Sequence, residues 1–219
     1  MATTDTDKVY VPTPSVTGVV FAMPYTATDA DKIIDGAKDF TKDLVKDLKM
    51  VSLGGLSEAG IVNSQSRDVQ KIKEFGGSVI AVPQSDYTET LKIELVEASN
   101  LDALRLVFGK DNIKEIKGTG ANASVTVAIE VRHSSNPLDD WILVTETVQG
   151  NKLRRQIVPK GKPTTVGDVS QVSNDIVKYD VTIEAFPYKG LNVVEYLSLG
   201  IPAAGGDTGR DTGRSADAK

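Results

Sequence analysis

The chain has 219 residues, 40% of them hydrophobic and 5% aromatic, and a formal net charge of −5, which fits one domain with a substantial core or at most two small ones. It has no cysteine and one histidine, His133, so disulfides, thiolate zinc sites, cysteine nucleophiles and multi-histidine metal sites within one chain are excluded. The acidic balance argues against a protein that grips DNA through its phosphates, but not against one past which DNA slides.

Residues 1–14, "MATTDTDKVYVPTP", are small, polar and punctuated by proline, which predicts an extended arm. No basic-then-apolar signal layout follows, and no apolar run approaches the ~20 residues of a membrane span; synthesis in a cytoplasm is expected. "SVTGVVFA" (15–22) has strand composition. From about 24 to 50 the chain is polar, and Phe40, Leu44 and Leu48 recur every fourth residue among Lys and Asp. This reads either as a short amphipathic helix around 38–49 or as a long irregular excursion from a sheet. Residues 61–75 read as strand, turn and strand, and "GGSVIAVP" (76–83) as a turn followed by an apolar strand.

"ETLKIELVE" (89–97) alternates Leu91, Ile93 and Leu95 with Thr90, Lys92 and Glu94, a strand with one dry and one charged face. "SNLDALRLVFG" (99–109) is the clearest helix. Ser99 or Asn100 can cap it, Asp102 suits the positive end of its dipole, Leu101, Leu104, Val107 and Phe108 share a face, and Gly109 is a natural stop. Beyond 113 the chain reads as strands: "SVTVAIEVR" (124–132), "WILVTETV" (141–148) and "KLRRQIVP" (152–159), the last two joined by a "QGN" hairpin turn. "KGKPTTVGD" reads as a loop and "DIVKYDVTIEAFP" (175–187) as the last long strand. In that strand Tyr179, Val181, Ile183 and Ala185 alternate with Lys178, Asp180, Thr182 and Glu184. Residues 201–219, with a tandem Asp-Thr-Gly-Arg, hold no apolar residue larger than alanine beyond Pro202 and predict a disordered tail. The whole predicts a mainly β fold for residues 15–200, an antiparallel β-sandwich or barrel with one packed α-helix.

No catalytic, cofactor or metal site emerges. "PKGKPTT" has Gln156 where a phosphate loop needs its first glycine, and "GTGAN" (118–122) lacks the third glycine of a dinucleotide fingerprint and leads into a strand. His133 lies in a polar loop without an evident orienting partner. Asp139 and Asp140 lack the oxygen spacing of calcium loops. Trp141 reads as a core or interface anchor, and adjacent Arg154 and Arg155 point to opposite faces of their strand.

The order of segments resembles the major tail tube proteins of long-tailed, non-contractile bacteriophages, particularly those of actinobacterial hosts. "DLKMVSLGGLSEAGI" (47–61), "IKEFGGSVIAV", "ETLKIELVEASNLDALRLVFGKDNI" (89–113) and "RRQIVPKGKPTTVGDVSQVSNDIVKYDVTIEAFP" (154–187) carry the likeness, which spans about 15–200. The family often has tryptophan where Phe75 stands, and the tail after Gly200 lies outside the pattern.

The resemblance implies a structural virion protein and no enzyme. Its subunits would form hexameric rings stacked around a tape-measure protein, meet tail terminator and distal tail proteins, and pass DNA through a lumen without specific binding or membrane insertion. It also implies that inner sheets join edge to edge and that the 24–50 loop and terminal arms reach neighbours. On this reading Lys92, Glu94, Lys178, Asp180, Thr182 and Glu184 are candidates for the lumen or a subunit seam, the mixed signs favouring a seam. Asp29, Asp31, Lys38, Lys42, Asp43, Lys46 and Asp47 are candidates for an inter-ring loop. The alternatives are a tube component of a contractile injection or secretion apparatus, and a non-enzymatic ligand-binding or decoration β-domain.

Overall fold

In the computed structural model of the chain the described residues are 4–200; the 201–219 tail lies outside them. The elements follow in order as β1 (Thr13–Pro14), β2 (Val20–Pro24), α1 (Ala27–Gly36), β3 (Val51–Ser52), β4 (Leu56–Val69), β5 (Ile72–Lys73), β6 (Val79–Ala81), β7 (Gln84–Leu95), α2 (Leu101–Phe108), β8 (Ile113–Lys117), β9 (Thr126–Val131), β10 (Trp141–Gln149), β11 (Lys152–Val166), β12 (Tyr179–Ala185) and β13 (Val194–Leu197). All pairings between them are antiparallel.

One hydrogen-bonded path runs β3-β2-β10-β11-β12-β7-β4, with β1 added to β10 and β13 to β11. It folds over on itself at β11. The first part of β11 pairs with β10 and β13, and Gly161–Val166 pairs with β12. Register shifts fall between Val158 and Gly161 and again between Pro163 and Thr165. Pro159 and Pro163 sit in these bulges, where a missing N–H interrupts no regular ladder. A Cβ on Gly161 would stand 2.8 Å from Ile183 Cγ2 and 3.0 Å from Leu143 Cδ1, so the bend closes only over a bare backbone. "KGKPTT", expected as a loop, is therefore strand: its Gly161 and Pro163, with Pro159 before them, mark a bend, not a break.

The halves, sheet I (β3-β2-β10 and the first part of β11) and sheet II (the last part of β11 with β12-β7-β4), enclose one core. Ala22, Leu143 and Val158 from sheet I meet Leu91, Ile93, Leu95, Val181 and Ile183 from sheet II, with Leu104 and Val107 of α2 among them. Asn100 caps α2 as expected: its Oδ1 accepts the amides of Asp102 at 3.0 Å and Ala103 at 3.2 Å.

A second apolar layer covers the far side of sheet I. Phe21, Ile142, Val144 and Ile157 pack under Ala30 and Ile33 of α1 and under Ala37, Leu44 and Met50 beyond it. Sheet I is thus buried on both faces, which explains why "VVFA" and "WILV" are continuous apolar runs instead of alternating ones. The described residues hold two packed α-helices, where the sequence reading expects one. The helix lies at 27–36 and not around 38–49, where the chain forms turns. Thr26 sets its start: Thr26 Oγ1 accepts the Asp29 amide at 3.0 Å. Gly36 is its last residue, and a Cβ there would stand 2.5 Å from Leu48 Cδ2.

Candidate assembly surfaces

The alternation in β7 and β12 gives sheet II a polar outer wall. Tyr179, Val181, Ile183 and Ala185 are buried, and Asp180, Thr182 and Glu184 point the other way, half-exposed. Register places Thr182 opposite Lys92, Asp180 opposite Glu94, and Glu184 between Thr90 and Lys162. All six residues expected on a charged wall therefore share one face, joined by Lys162. Opposed Asp180 and Glu94 alone would repel. Lys92 resolves this by a diagonal ion pair, Nζ to Asp180 Oδ2 at 2.7 Å, and the hydrogen bond it donates to Asp180 holds its pKa above the ordinary value. Lys178 pairs with Asp175 at 3.1 Å, which raises its pKa too. Lys162 stands 3.8 Å from Asp140. The lysines of this face thus have partners inside one subunit, whereas Glu94 and Glu184 form no ion pair among the described residues.

Both edges of sheet II are open among the described strands. β4 ends the path, and Lys162–Val166 of β11 has β12 on one side only. β4 and β7 also extend beyond the core as one hairpin, paired from Ile61↔Ile93 to Val69↔Gln84 and continued by the small β5–β6 ladder. This is the chain's true excursion. Ile72, Phe75, Val79, Ile80 and Val82 are exposed along it, Phe75 completely, an apolar display that one subunit leaves uncovered.

The polar 24–50 segment behaves differently: it is tied to its own subunit. Arg155 and Glu146 are 2% and 4% exposed, and Nε donates to Glu146 Oε2 at 2.6 Å. The remaining guanidinium donors reach the carbonyls of Ala37 at 3.4 Å, Asp39 at 2.9 Å and Lys42 at 2.7 Å, and Phe40 lies over the guanidinium at 5.5 Å. The loop candidates have local partners as well. Asp29 pairs with Lys32, Lys38 with Asp35, Lys46 with Asp43, and Asp31 with Lys189. Asp43 accepts the amides of Val45 and Lys46, and Asp47 accepts that of Asp43. These bonds hold the carboxyls of Asp43, through the Lys46 amide first, and Asp31, through Lys189 first, below their ordinary pKa.

Away from α2 the two sheets part around a cleft of about 1070 Å³. Glu89, 3% exposed, lies in its wall, accepting from Tyr87 Oη at 2.8 Å, Gln65 Nε2 at 3.0 Å and Asn63 Nδ2 at 3.2 Å. Burial raises the Tyr87 pKa, and Arg67 stacks on the Tyr87 ring at 4.6 Å. Arg154 faces this cleft, ion-paired to Glu195. The sequence reading missed Glu89, yet the signal was present: the inward parity of Leu91, Ile93 and Leu95, run back two residues, turns Glu89 inward. The arm meets the rim of the cleft, where Tyr10 Oη bonds Thr147 Oγ1 at 3.1 Å and Pro12–Pro14 line the opening. His133 packs on Phe108, ring centres 4.7 Å apart. Trp141 is buried in the core, and its Nε1 finds no acceptor among the described residues.

No family model matches the chain, and no curated protein matches it. Solved structures show low similarity. The tube-terminating cap of an anti-feeding prophage has 12% identity over 89% of this chain and 98% of that chain, with a TM-score of 0.35. A chain of a native gene transfer agent virion has 10% identity over 65% and 88%, also at 0.35. A chain of the sheath–tube complex of an extracellular contractile injection system in its extended state has 12% identity over 90% and 100%, at 0.34. Scores of this size carry no argument about what this chain does; its fold class rests on the sheets described above.

Proposed function

We propose that the chain is a structural subunit of a phage-type tail tube, the major tail tube protein of a long-tailed, non-contractile phage, which assembles into hexameric rings stacked around a tape-measure protein and conducts DNA into the host. One observation carries the reading: a four-stranded sheet with a polar outer face and both edges open. Open edges invite strand pairing, and ring closure abolishes them. Strands lie about 4.8 Å apart, so six such sheets joined edge to edge span roughly 115 Å across their strands. With strands tilted by about 40°, the closed barrel has a backbone diameter on the order of 50 Å, wider than a DNA duplex. The order of sequence segments supports the same reading, and the exposed β4–β7 hairpin supplies an apolar arm for a neighbouring subunit. The Asp/Lys-rich 24–50 surface is then a contact between rings made by a prefolded face, not by a loop that orders on assembly. Electron microscopy of the purified protein tests this: rings or hollow tubes are expected, and a monomer that persists at high concentration contradicts it.

The polar cleft favours a second reading, a ligand-binding or decoration domain. Convergent amide, hydroxyl and carboxylate groups in a concave site are what a small polar ligand needs. A monomer that binds such a ligand and never forms rings would select it.

A further inference from the structure

We propose that the cleft between the sheets binds a linear aliphatic polyamine, with one ammonium seated against the buried carboxylate of Glu89 and a second directed at Glu195 on the opposite wall. The inference takes up the cleft that favours the second reading, but it depends on the single subunit alone and holds whether or not rings form.

The inward face of the β4–β7 pair changes character along its length. Where α2 covers it, Leu91 and Ile93 face the core. Farther out, register sets Gln65 opposite Glu89 and Arg67 opposite Tyr87 on that same face. Glu89 is almost wholly buried, and its bonds come from neutral donors: Oε1 accepts from Asn63 and Gln65, and Oε2 from Tyr87. It forms no ion pair among the described residues, since Arg67 is taken up on the Tyr87 ring. A buried charge is costly until a counter-charge meets it. A carboxylate has about four acceptor sites, so Oε2 keeps one for a further donor.

The residues around Glu89 select the kind of ligand. Asn63 and Gln65 turn their amide N–H groups toward the carboxylate, which turns their amide oxygens away from it, and both residues line the cleft. Asn63 Oδ1 accepts no hydrogen bond among the described residues, and Gln65 Oε1 meets only Arg67 Nη1, at 3.5 Å. This wall therefore offers acceptors, and a ligand that fits must bring donors. An ammonium brings three, with the missing positive charge. Leu56, Ile61 and Val193, half-buried, line the same space and suit the methylenes of an alkyl stem. Across the cleft Glu195, on β13, is a second carboxylate; it also holds Arg154. The volume of about 1070 Å³ admits an extended ligand and exceeds what one ammonium needs. Among the described residues no three acidic or histidine side chains converge as a metal ion would require, which favours an organic cation.

The test titrates the full chain with spermidine by calorimetry, beside n-butylamine, butane-1,4-diol and magnesium chloride. Spermidine should bind once per subunit, n-butylamine more weakly, and the diol and magnesium not at all. Glu89→Gln keeps the shape of the side chain, removes its charge and should weaken spermidine about tenfold or more. Glu195→Gln should weaken spermidine and leave n-butylamine unchanged. Glu130→Gln, on β9 and outside the cleft, should bind as the wild type does. Gln156→Lys sets an ammonium of the chain itself into the cleft wall and should block spermidine; it decides the matter if Glu89→Gln does not fold. A wild type that binds no spermidine overturns the proposal, as does affinity unchanged in Glu89→Gln or in a folded Gln156→Lys. Displacement of spermidine by an equal concentration of magnesium overturns it too, because diffuse attraction to the acidic chain then suffices. Micrographs of the same samples bear on the tube reading alone, so either can fail without the other.

Discussion

Arg155 is where the subunit is most sensitive to one substitution. Replacing it with methionine keeps most of the apolar stem and removes the guanidinium with its charge and donors. Glu146, 4% exposed, is left as an uncompensated buried carboxylate, and the carbonyls of Ala37, Asp39 and Lys42 lose their guanidinium partner. Breaking a buried pair by removing one member costs about 3–5 kcal/mol, against a total stability of roughly 5–15 kcal/mol for a domain. For a domain of this size each kcal/mol moves Tm by about 2–4 °C, so Arg155→Met should lower Tm by roughly 6–20 °C. The double variant Arg155→Met with Glu146→Leu removes the stranded charge and should recover a large part of the loss, leaving the carbonyls and the detached 37–42 turn as the residual cost. Thermal and urea unfolding followed by circular dichroism measures both. A fall of less than about 3 °C for the single variant, or a double variant no more stable than the single, would refute the idea that this ion pair docks the 37–42 segment.

Three further outcomes are expected. Asn100→Ala removes the acceptor of two first-turn amides of α2 and should cost about 1 kcal/mol, read from urea unfolding. Paired substitution of Phe75 and Ile80 by serine, on the exposed hairpin, should leave Tm within about 2 °C of wild type while rings and tubes disappear from micrographs. The carboxyls of Asp31 and Asp43 are harder to protonate in the folded chain than in the unfolded one. Their stabilisation is therefore present above the ordinary carboxylate range and lost as pH falls below about 4. Limited proteolysis should show 37–50 opening before the core over that range, and Asp43→Asn should open it already at neutral pH.

The sequence was legible where one physical signal acted alone. Strict alternation identified both faces of β7 and β12, and the Asn100 cap with the Leu101, Leu104 and Val107 face identified α2. It misled where two signals overlapped. In the 24–50 stretch the four-residue spacing of Phe40, Leu44 and Leu48 imitates a helix, but Leu44 and Leu48 pack from turns that Asp43, Asp47 and the buried Arg155 fix through backbone hydrogen bonds. The actual helix hides behind Gly36, a residue that counts against helix by propensity yet is required by Leu48. In β11 the prolines and glycine of "IVPKGKP" look like an ending because local rules do not see that a strand can bend at a bulge between two sheets. The in-chain pairing of Lys92 with Asp180 depends on register, which alternation alone does not fix.

The absence of cysteine from the native chain permits a direct test of edge-to-edge assembly. Cysteines introduced at Ser64 on β4 and Thr164 on β11 lie on opposite edges of sheet II, three strand spacings or about 14 Å apart. A disulfide bridges Cα atoms no more than about 7 Å apart, so no bond can close within one subunit. A short scan of neighbouring pairs, Ser66 with Thr164 and Ser64 with Val166, covers the inter-subunit register. Under mild oxidation at least one pair should give a ladder of covalent oligomers that ends at a closed ring of six and collapses on reduction. Tubes that form normally while every pair stays monomeric would contradict the claim that sheet II is the strand-paired wall of the tube.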